Sequence, residues 1–68
     1  MTLEYYPDTD TLYIALRDGQ SADAAEVAAD FVLDFDEEGR VIGMTIEHAS
    51  ERVDLRSFAA MNVPVLVA

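Results

Sequence analysis

Apolar and polar side chains alternate most regularly between Asp30 and His48, in two runs that an acidic turn, Asp36–Gly39, separates. An alternation with a period of two is typical of β-strands that bury one face. Asp favours the start of a turn, and Gly accepts the positive φ that closes it. The sequence therefore predicts a β-hairpin whose apolar face is formed by Phe31, Leu33, Phe35, Ile42, Met44 and Ile46.

Two registers of this hairpin compete. A three-residue loop with a bulge at Gly39 would pair Asp36 with Arg40 and would place Phe35 opposite Val41. A four-residue loop would keep all six apolar side chains on one face. Because a slip of one residue turns every side chain over, burial favours the four-residue loop. Its predicted pairs are Phe35–Ile42, Leu33–Met44 and Phe31–Ile46.

A first hairpin is predicted ahead of this one. Thr2–Tyr6 and Thr11–Leu16 are rich in residues that favour strands, and Pro7–Asp10 between them has the composition of a turn. One face of this hairpin should carry Leu3, Tyr5, Leu12, Ile14 and Leu16, and the other should carry Tyr13 and Ala15.

The remaining segments are less regular. Arg17–Asp23 is predicted to be a loop, and Ala24–Ala29 could form either a helical turn or a short edge strand. Ala49–Arg52 lacks alternation and is predicted to be a turn. Val65–Val67 could form a short strand or fray.

Near the C-terminus the apolar spacing becomes helical. Asp54 is a suitable N-cap for a helix over Leu55–Met61, which Asn62 and Pro64 would end. A helix of about two turns is marginal alone, so it should dock on the apolar face of the sheet. The predicted fold class is α+β: a small antiparallel β-sheet of two successive hairpins with a short C-terminal helix packed on one face.

Length and composition limit the possible architectures. The chain has 68 residues, which predicts a single domain over 1–68. It has no cysteine and one histidine, which excludes disulfides and a Cys/His zinc site. A domain this small without such cross-links often gains stability by self-association, and the apolar fraction of 51% points the same way. We therefore expect a homo-oligomer, most simply a dimer.

The charge balance narrows the possible partners. The chain carries 14 acidic and 4 basic residues, giving a net charge of −10, and all four basic residues are Arg. Because nucleic-acid binding needs clustered Lys and Arg, direct nucleic-acid binding is not expected. An acidic surface suits a basic protein partner, or serves only to keep the protein soluble. No basic leader or long apolar run is present, so we expect no membrane segment and a cytoplasmic location.

Three blocks of the sequence resemble a known family. They are Tyr5–Ile14, Asp34–Gly43 and Ile46–Arg52, and they occur in the order found in the bacterial family called domain of unknown function 2283, or YuzE-like. The resemblance covers about residues 3–53 and leaves 54–68 outside. It implies a small α+β domain with an antiparallel sheet and no established activity. It also implies an antitoxin-like or other interaction role, since members of such families can sit beside toxin-like partners.

Few residues suggest chemistry. Asp8 and Asp10 in the first turn, and Asp34 and Asp36 at the second, could ligate a hard cation such as Mg²⁺ or Ca²⁺. Asp is also common in turns because it bonds the local backbone, and this explanation is the stronger one. No catalytic, cofactor-binding or metal-binding residue is therefore assigned.

The single histidine, His48, could act as an acid or base with Glu47 or Glu51. Without a nucleophile beside it, a structural hydrogen bond is the better interpretation. Ser50 fits a turn or a helix cap.

Three functions remain open. The leading hypothesis is a non-catalytic interaction module that forms a homodimer and binds a basic protein. The second is a small metal-dependent hydrolase using Asp8, Asp10, Asp34 and Asp36, which would require at least three of these carboxylates to converge. The third is a purely structural homodimer.

Overall fold

A computed structural model describes residues 1–54, 56–57 and 65–67 of the chain. The described strands form one six-stranded sheet in the order β3-β4-β5-β2-β1-β6. One short helix, α1, follows β5. The elements are β1 Thr2–Tyr6, β2 Thr11–Ala15, β3 Asp23–Ala28, β4 Phe31–Phe35, β5 Val41–Ile46, α1 Ala49–Arg52 and β6 Val65–Val67.

The architecture is α+β and mostly β-sheet, but it is not the purely antiparallel pair of hairpins that the sequence predicted. Strand β6 pairs in parallel with β1, while the other neighbouring pairs are antiparallel. The ambiguous segment before the central hairpin is an edge strand, β3, paired with β4. Of the two alternatives for Val65–Val67, the short strand is the one that forms. Its parallel pairing was not predicted, because its partner lies at the other end of the chain and local periodicity carries no information about distant pairing.

The central hairpin combines the two competing registers. Far from the turn, Phe31 lies opposite Ile46 and Leu33 opposite Met44, as predicted. Near the turn the prediction was wrong, because Phe35 lies opposite Val41. The shift between them is a β-bulge that adds one residue to β5.

The turn itself has the three-residue loop. The Asp36 amide donates to the Arg40 carbonyl at 3.0 Å, and the Gly39 amide donates back to the Asp36 carbonyl at 3.0 Å. Gly39 has φ +79°, the conformation that favours glycine. Turn geometry therefore sets the register at the tip, and the bulge at Ile42 restores the buried register beyond it.

Ile42 is buried under the loop that follows β2. The amides of Leu16 and Arg17 both donate to its carbonyl, at 2.8 and 3.3 Å, and Gly19 lies over its side chain. Leu16 was predicted to face the core with Leu12 and is instead exposed. Strand β2 ends at Ala15, so the alternation no longer applies at Leu16.

The core lies on one face of the sheet, beneath the start of α1. Leu3, Leu12, Ile14, Ile46 and Ala49 form one buried cluster. Fully burying a Leu or Ile side chain contributes about 1.5–3 kcal/mol, so these few residues supply much of the stabilisation. The partly buried side chains packed around them are Tyr5, Phe31, Met44, Val53 and Val65.

The structure describes only part of the C-terminal region for which a turn and a helix were predicted. Ala49–Arg52, predicted to be a turn, is a single helical turn. The predicted helix Leu55–Met61 lies outside the described residues except for Arg56 and Ser57, which are helical. Asp54 accepts the Arg56 amide at 3.0 Å, as an N-cap does. None of the helices described is long and apolar enough to cross a bilayer.

Candidate functional site

Three turns meet where β5 ends. Asp10, Asp30 and His48 are the only non-glycine residues with positive φ in the described chain, at 53°, 68° and 52°. The amide of Ala49 donates to the Asp10 carbonyl at 2.8 Å, and the amide of Glu47 donates to the Asp30 carbonyl at 2.9 Å. The left-handed conformation is unfavourable for most residues, but Asp and His tolerate it better than most. The chain leaving β5 is thus fastened to both neighbouring turns.

The Asp10 carboxylate holds the start of α1. Ser50 donates to it twice, from Oγ at 2.7 Å and from its backbone amide at 3.0 Å. The Tyr5 hydroxyl donates to the same carboxylate at 2.7 Å. His48, the N-cap residue by position, makes no side-chain cap of its own. Asp10, which is distant in sequence, therefore accepts from a free backbone amide at the start of α1, as a helix N-cap residue would.

These bonds favour the ionised carboxylate. The hydrogen bond from the Ser50 hydroxyl, followed by that from Tyr5, lowers the pKa of Asp10 below its ordinary value. The same contact with Asp10 raises the pKa of the Tyr5 phenol. The Asp10 carboxylate thus accepts from three donors and holds them in place.

The Asp30 carboxylate makes the second contact between a turn and α1. Its Oδ2 accepts from Arg52 Nε at 3.0 Å and lies 2.9 Å from Arg52 Nη2 and 3.2 Å from His48 Nδ1. The Arg52 hydrogen bond is the main reason that the pKa of Asp30 is lowered, and His48 adds to it. The acid–base role considered for His48 paired it with Glu47 or Glu51, but the carboxylate beside its ring is that of Asp30.

Sequence reasoning missed Asp30 because its importance depends on contacts across the sheet. One local signal was available: Ala29 and Asp30 separate two strand-like runs, and Asp accepts the left-handed conformation that a tight turn needs. The ambiguity over the preceding segment hid that turn.

The four predicted aspartates do not come together. Asp8 is exposed in the first turn, and Asp10 is occupied at α1. Asp34 lies on the sheet face opposite the core, where it adds to the effect of burial in raising the pKa of Tyr13. Asp36 accepts the amides of Glu38 and Arg40 in its own turn, each at 2.9 Å. Among the described residues, no group of three or more acidic or histidine side chains converges as a metal site would require.

Charge is segregated across the molecule. None of the six described strands contains Lys or Arg, whereas they contain Glu4, Asp23, Glu26 and Asp34. The arginines lie in turns and after β5, and three of them pair with aspartates of the same chain. These pairs are Arg40–Asp36 at 2.8 Å, Arg52–Asp30 at 2.9 Å and Arg56–Asp54 at 3.2 Å.

An acidic groove lies at the end of the sheet where β3 begins. It has a volume of about 500 Å³, between the loop Asp18–Ala22 and the turn Asp36–Arg40. The loop continues directly into β3. Four carboxylates and one guanidinium line this groove: Asp18, Asp36, Glu37, Glu38 and Arg40.

The fold and the charge distribution define a small, mostly β-sheet α+β protein with an acidic surface. The family model described as protein of unknown function, DUF2283, matches residues 2–50, so the chain belongs to the DUF2283 family. This confirms the resemblance predicted from three sequence blocks, two of which meet in space at the contact between Asp10 and Ser50. Neither a curated protein nor a solved structure matches the chain.

Proposed function

We propose that this chain is a non-catalytic interaction module that binds a basic protein partner in the cytoplasm. The observation that carries the proposal is the absence of Lys and Arg from all six described strands. The four arginines offset only four of the 14 acidic residues, which gives the net charge of −10, and three of them are paired with aspartates of the same chain. A partner rich in Lys or Arg would meet a surface of complementary potential. The same charge disfavours nucleic acid and anionic membranes.

The aspartates that the sequence offered for chemistry support the same proposal. The Asp10 and Asp30 carboxylates are both engaged by donors that fasten α1 to the sheet. Such groups stabilise the fold rather than transfer protons to a substrate. The metal-dependent hydrolase needs converging carboxylates, and the positions of Asp8, Asp34 and Asp36 give it no support.

Self-association is part of the proposal, and the two edges of the sheet differ in a way that favours it. Edge strand β3 carries Asp23 and Glu26, whereas edge strand β6 carries no charge and leaves Leu66 53% and Val67 69% exposed. An uncharged apolar edge suits a second copy, because two acidic copies would otherwise repel each other. A purely structural homodimer would use this edge alone. The antitoxin-like role that the family resemblance implies is the case in which the partner is a basic toxin-like protein.

Calorimetry against the protein encoded beside this one would test the proposal, after co-purification of the pair. We expect association that weakens as salt is raised from about 0.05 to 0.5 M, because the contact is electrostatic. Absence of association with neighbouring proteins, together with a strict monomer in sedimentation, would contradict it. A dimer that binds no partner would instead support the purely structural alternative.

A further inference from the structure

We propose that β3 is the docking edge for the partner, and that an extended segment bearing Lys or Arg adds to the sheet alongside it. This inference rests on the proposed function and specifies its surface. Strand addition to a free sheet edge is a recurring mode of peptide recognition, in which main-chain hydrogen bonds supply affinity and side chains supply selectivity.

Strand β3 is accessible along its whole length. Within the part of the chain that the structure describes, it is the terminal strand of the sheet and pairs on one side only, with β4. All six of its residues are exposed. Ala24, Ala25 and Ala28 have small side chains, so an incoming backbone could approach without steric hindrance.

The hydrogen-bonding pattern shows which groups point outward. The bond from the Glu47 amide to the Asp30 carbonyl makes Phe31–Ile46 a non-hydrogen-bonded pair. The next residue, Val32, therefore directs its backbone towards β5, and Leu33 directs its backbone towards β3.

Leu33 is the partner of Ala25, so Ala25 faces inward. Its two neighbours, Ala24 and Glu26, must then present their N–H and C=O groups to the open edge. Consistently, the Ala24 amide donates to the exposed carboxylate of the preceding residue, Asp23 Oδ1, at 2.9 Å.

The bulge in β3 sets the length of this edge. Regular pairing with β4 covers Asp23–Glu26 and shifts before Ala28. Val27, in the bulge, is 57% exposed. A partner strand therefore has four residues to pair with and an apolar side chain beyond them.

Charge complementarity identifies the occupant as a basic segment rather than a second copy. The charged side chains of β3 are Asp23 and Glu26, and the strand starts beside the acidic groove that Asp18 and Glu37 help to line. Pairing two copies of β3 would bring like charges together across the strands, which is destabilising. A Lys or Arg beside the strand-adding stretch would instead enter the groove.

The test uses synthetic peptides and fluorescence anisotropy. The probe is a labelled peptide of alternating Thr and Val followed by two Lys, and the comparison peptides replace both Lys with Glu or place Pro within the alternating stretch. We expect the wild-type protein to bind the Lys peptide at least about tenfold more tightly than either comparison peptide. The Glu peptide loses the charge contact with the groove, and the Pro peptide loses the backbone pairing with β3. Absence of binding to the Lys peptide would overturn the inference.

Two variants separate backbone pairing from charge. Ala24→Pro removes an outward N–H without breaking a bond to β4, and Ala24→Ser is its matched control because it keeps that N–H. We expect Ala24→Pro to weaken peptide binding about tenfold or more and Ala24→Ser to leave it within about twofold. The double variant Asp18→Asn/Glu37→Gln should weaken binding of the Lys peptide selectively and should reduce the salt dependence of that binding, because two of the screened charges are removed.

A direct measurement covers the case in which Ala24→Pro disturbs the fold. In the wild-type protein, saturating Lys peptide should slow amide exchange at Ala24 and Glu26 and leave the inward Ala25 unchanged. Slowing elsewhere, with β3 unaffected, would overturn the inference. Sedimentation of the free protein tests whether a second copy, rather than a basic segment, occupies the β3 edge. A dimer that Ala24→Pro dissociates would show that a second copy occupies it and would overturn the inference.

Failure of this inference is distinguishable from failure of the proposed function. If the protein encoded alongside binds wild type and Ala24→Pro equally, the interaction role stands and another surface carries it. If that protein does not bind and sedimentation shows a strict monomer, the proposed function itself fails.

Discussion

The Asp10 carboxylate accepts two hydrogen bonds from Ser50, a residue 40 positions further along the chain. This contact ties the turn of the first hairpin to the start of α1. A helix of four residues has too few internal hydrogen bonds to form alone, so its existence depends on such tertiary contacts. The first and last of the three sequence blocks that carry the family resemblance, Tyr5–Ile14 and Ile46–Arg52, are therefore in direct contact in the folded chain.

Loss of the Asp10 carboxylate should destabilise the protein. Asp10→Asn keeps a residue that tolerates positive φ but removes the charge that accepts from both Ser50 and Tyr5. We expect the Tm to fall by about 5 °C, the usual effect of losing a helix cap in a small domain. The matched control is Asp8→Asn in the same turn, which should change the Tm by less than about 1 °C. Equal effects of the two substitutions in thermal melts would contradict the capping role.

Stability should decrease in acid through the same groups. The pKa values of Asp10, Asp30 and Asp36 are all lowered in the folded chain from the ordinary value of 3.8. The unfolded chain then binds protons more readily than the folded one, so this stabilisation is fully present above the unfolded pKa. It is lost as the pH falls through the lower folded values. Urea melts from about pH 6 down to about pH 2.5 should show this decline, and Asp10→Asn should make it shallower.

Gly43 should tolerate no side chain. A Cβ at this position would clash with the Tyr13 hydroxyl and would lie 3.1 Å from the Ile14 carbonyl oxygen. We expect Gly43→Ala to cost about 1–3 kcal/mol in free energy of unfolding, the usual range for overpacking. Removing the ring first, with Tyr13→Val, should reduce that cost by about half or more in a double-mutant cycle. A cost unchanged by Tyr13→Val would show that the backbone contact alone limits the site.

Divalent cations should not stabilise the protein. Because Asp8, Asp10, Asp34 and Asp36 lie at separate places, no ion can be bound by three of them together. Thermal melts with Mg²⁺, Mn²⁺ or Ca²⁺ should match a NaCl control of equal ionic strength within about 1 °C. A rise of several degrees that Asp34→Asn abolishes would revive the metal-dependent hydrolase.

The uncharged edge strand offers a test of self-association. Leu66→Glu places a charge on the exposed side of β6 without removing a buried side chain. We expect the proposed dimer to dissociate at least tenfold more readily in sedimentation, since like charges would meet at the interface. Val27→Glu, on the opposite edge, is the control and should leave the dimer intact. Equal sensitivity of the two variants would place the interface elsewhere.

Local sequence was sufficient for the interior of the central hairpin. The pairs Phe31–Ile46 and Leu33–Met44 follow from alternation, because only one register buries both halves. Alternation failed at Phe35, where the geometry of the Asp36–Gly39 turn outweighed it, and at Leu16, which lies beyond the end of its strand. Periodicity describes regular strands, and a bulge or a strand end lies outside that description.

The candidate site was less accessible to sequence reasoning. Asp10 was recognised only as one of several turn aspartates, and Asp30 was not singled out at all. Their roles depend on Ser50 and Arg52, which are distant in sequence and which the fold alone brings within hydrogen-bonding distance.

The sequence by itself determined the strands of the two hairpins, the apolar face they share, the acidic charge and the family. These properties depend on residue type and on spacing over a few positions, which the hydrophobic effect converts directly into burial. Tertiary structure alone decided that β6 joins β1, that β3 is left as an open acidic edge, and that Asp10 and Asp30 fasten α1. Each of these depends on contacts between distant segments, and no local pattern encodes which distant segments will meet.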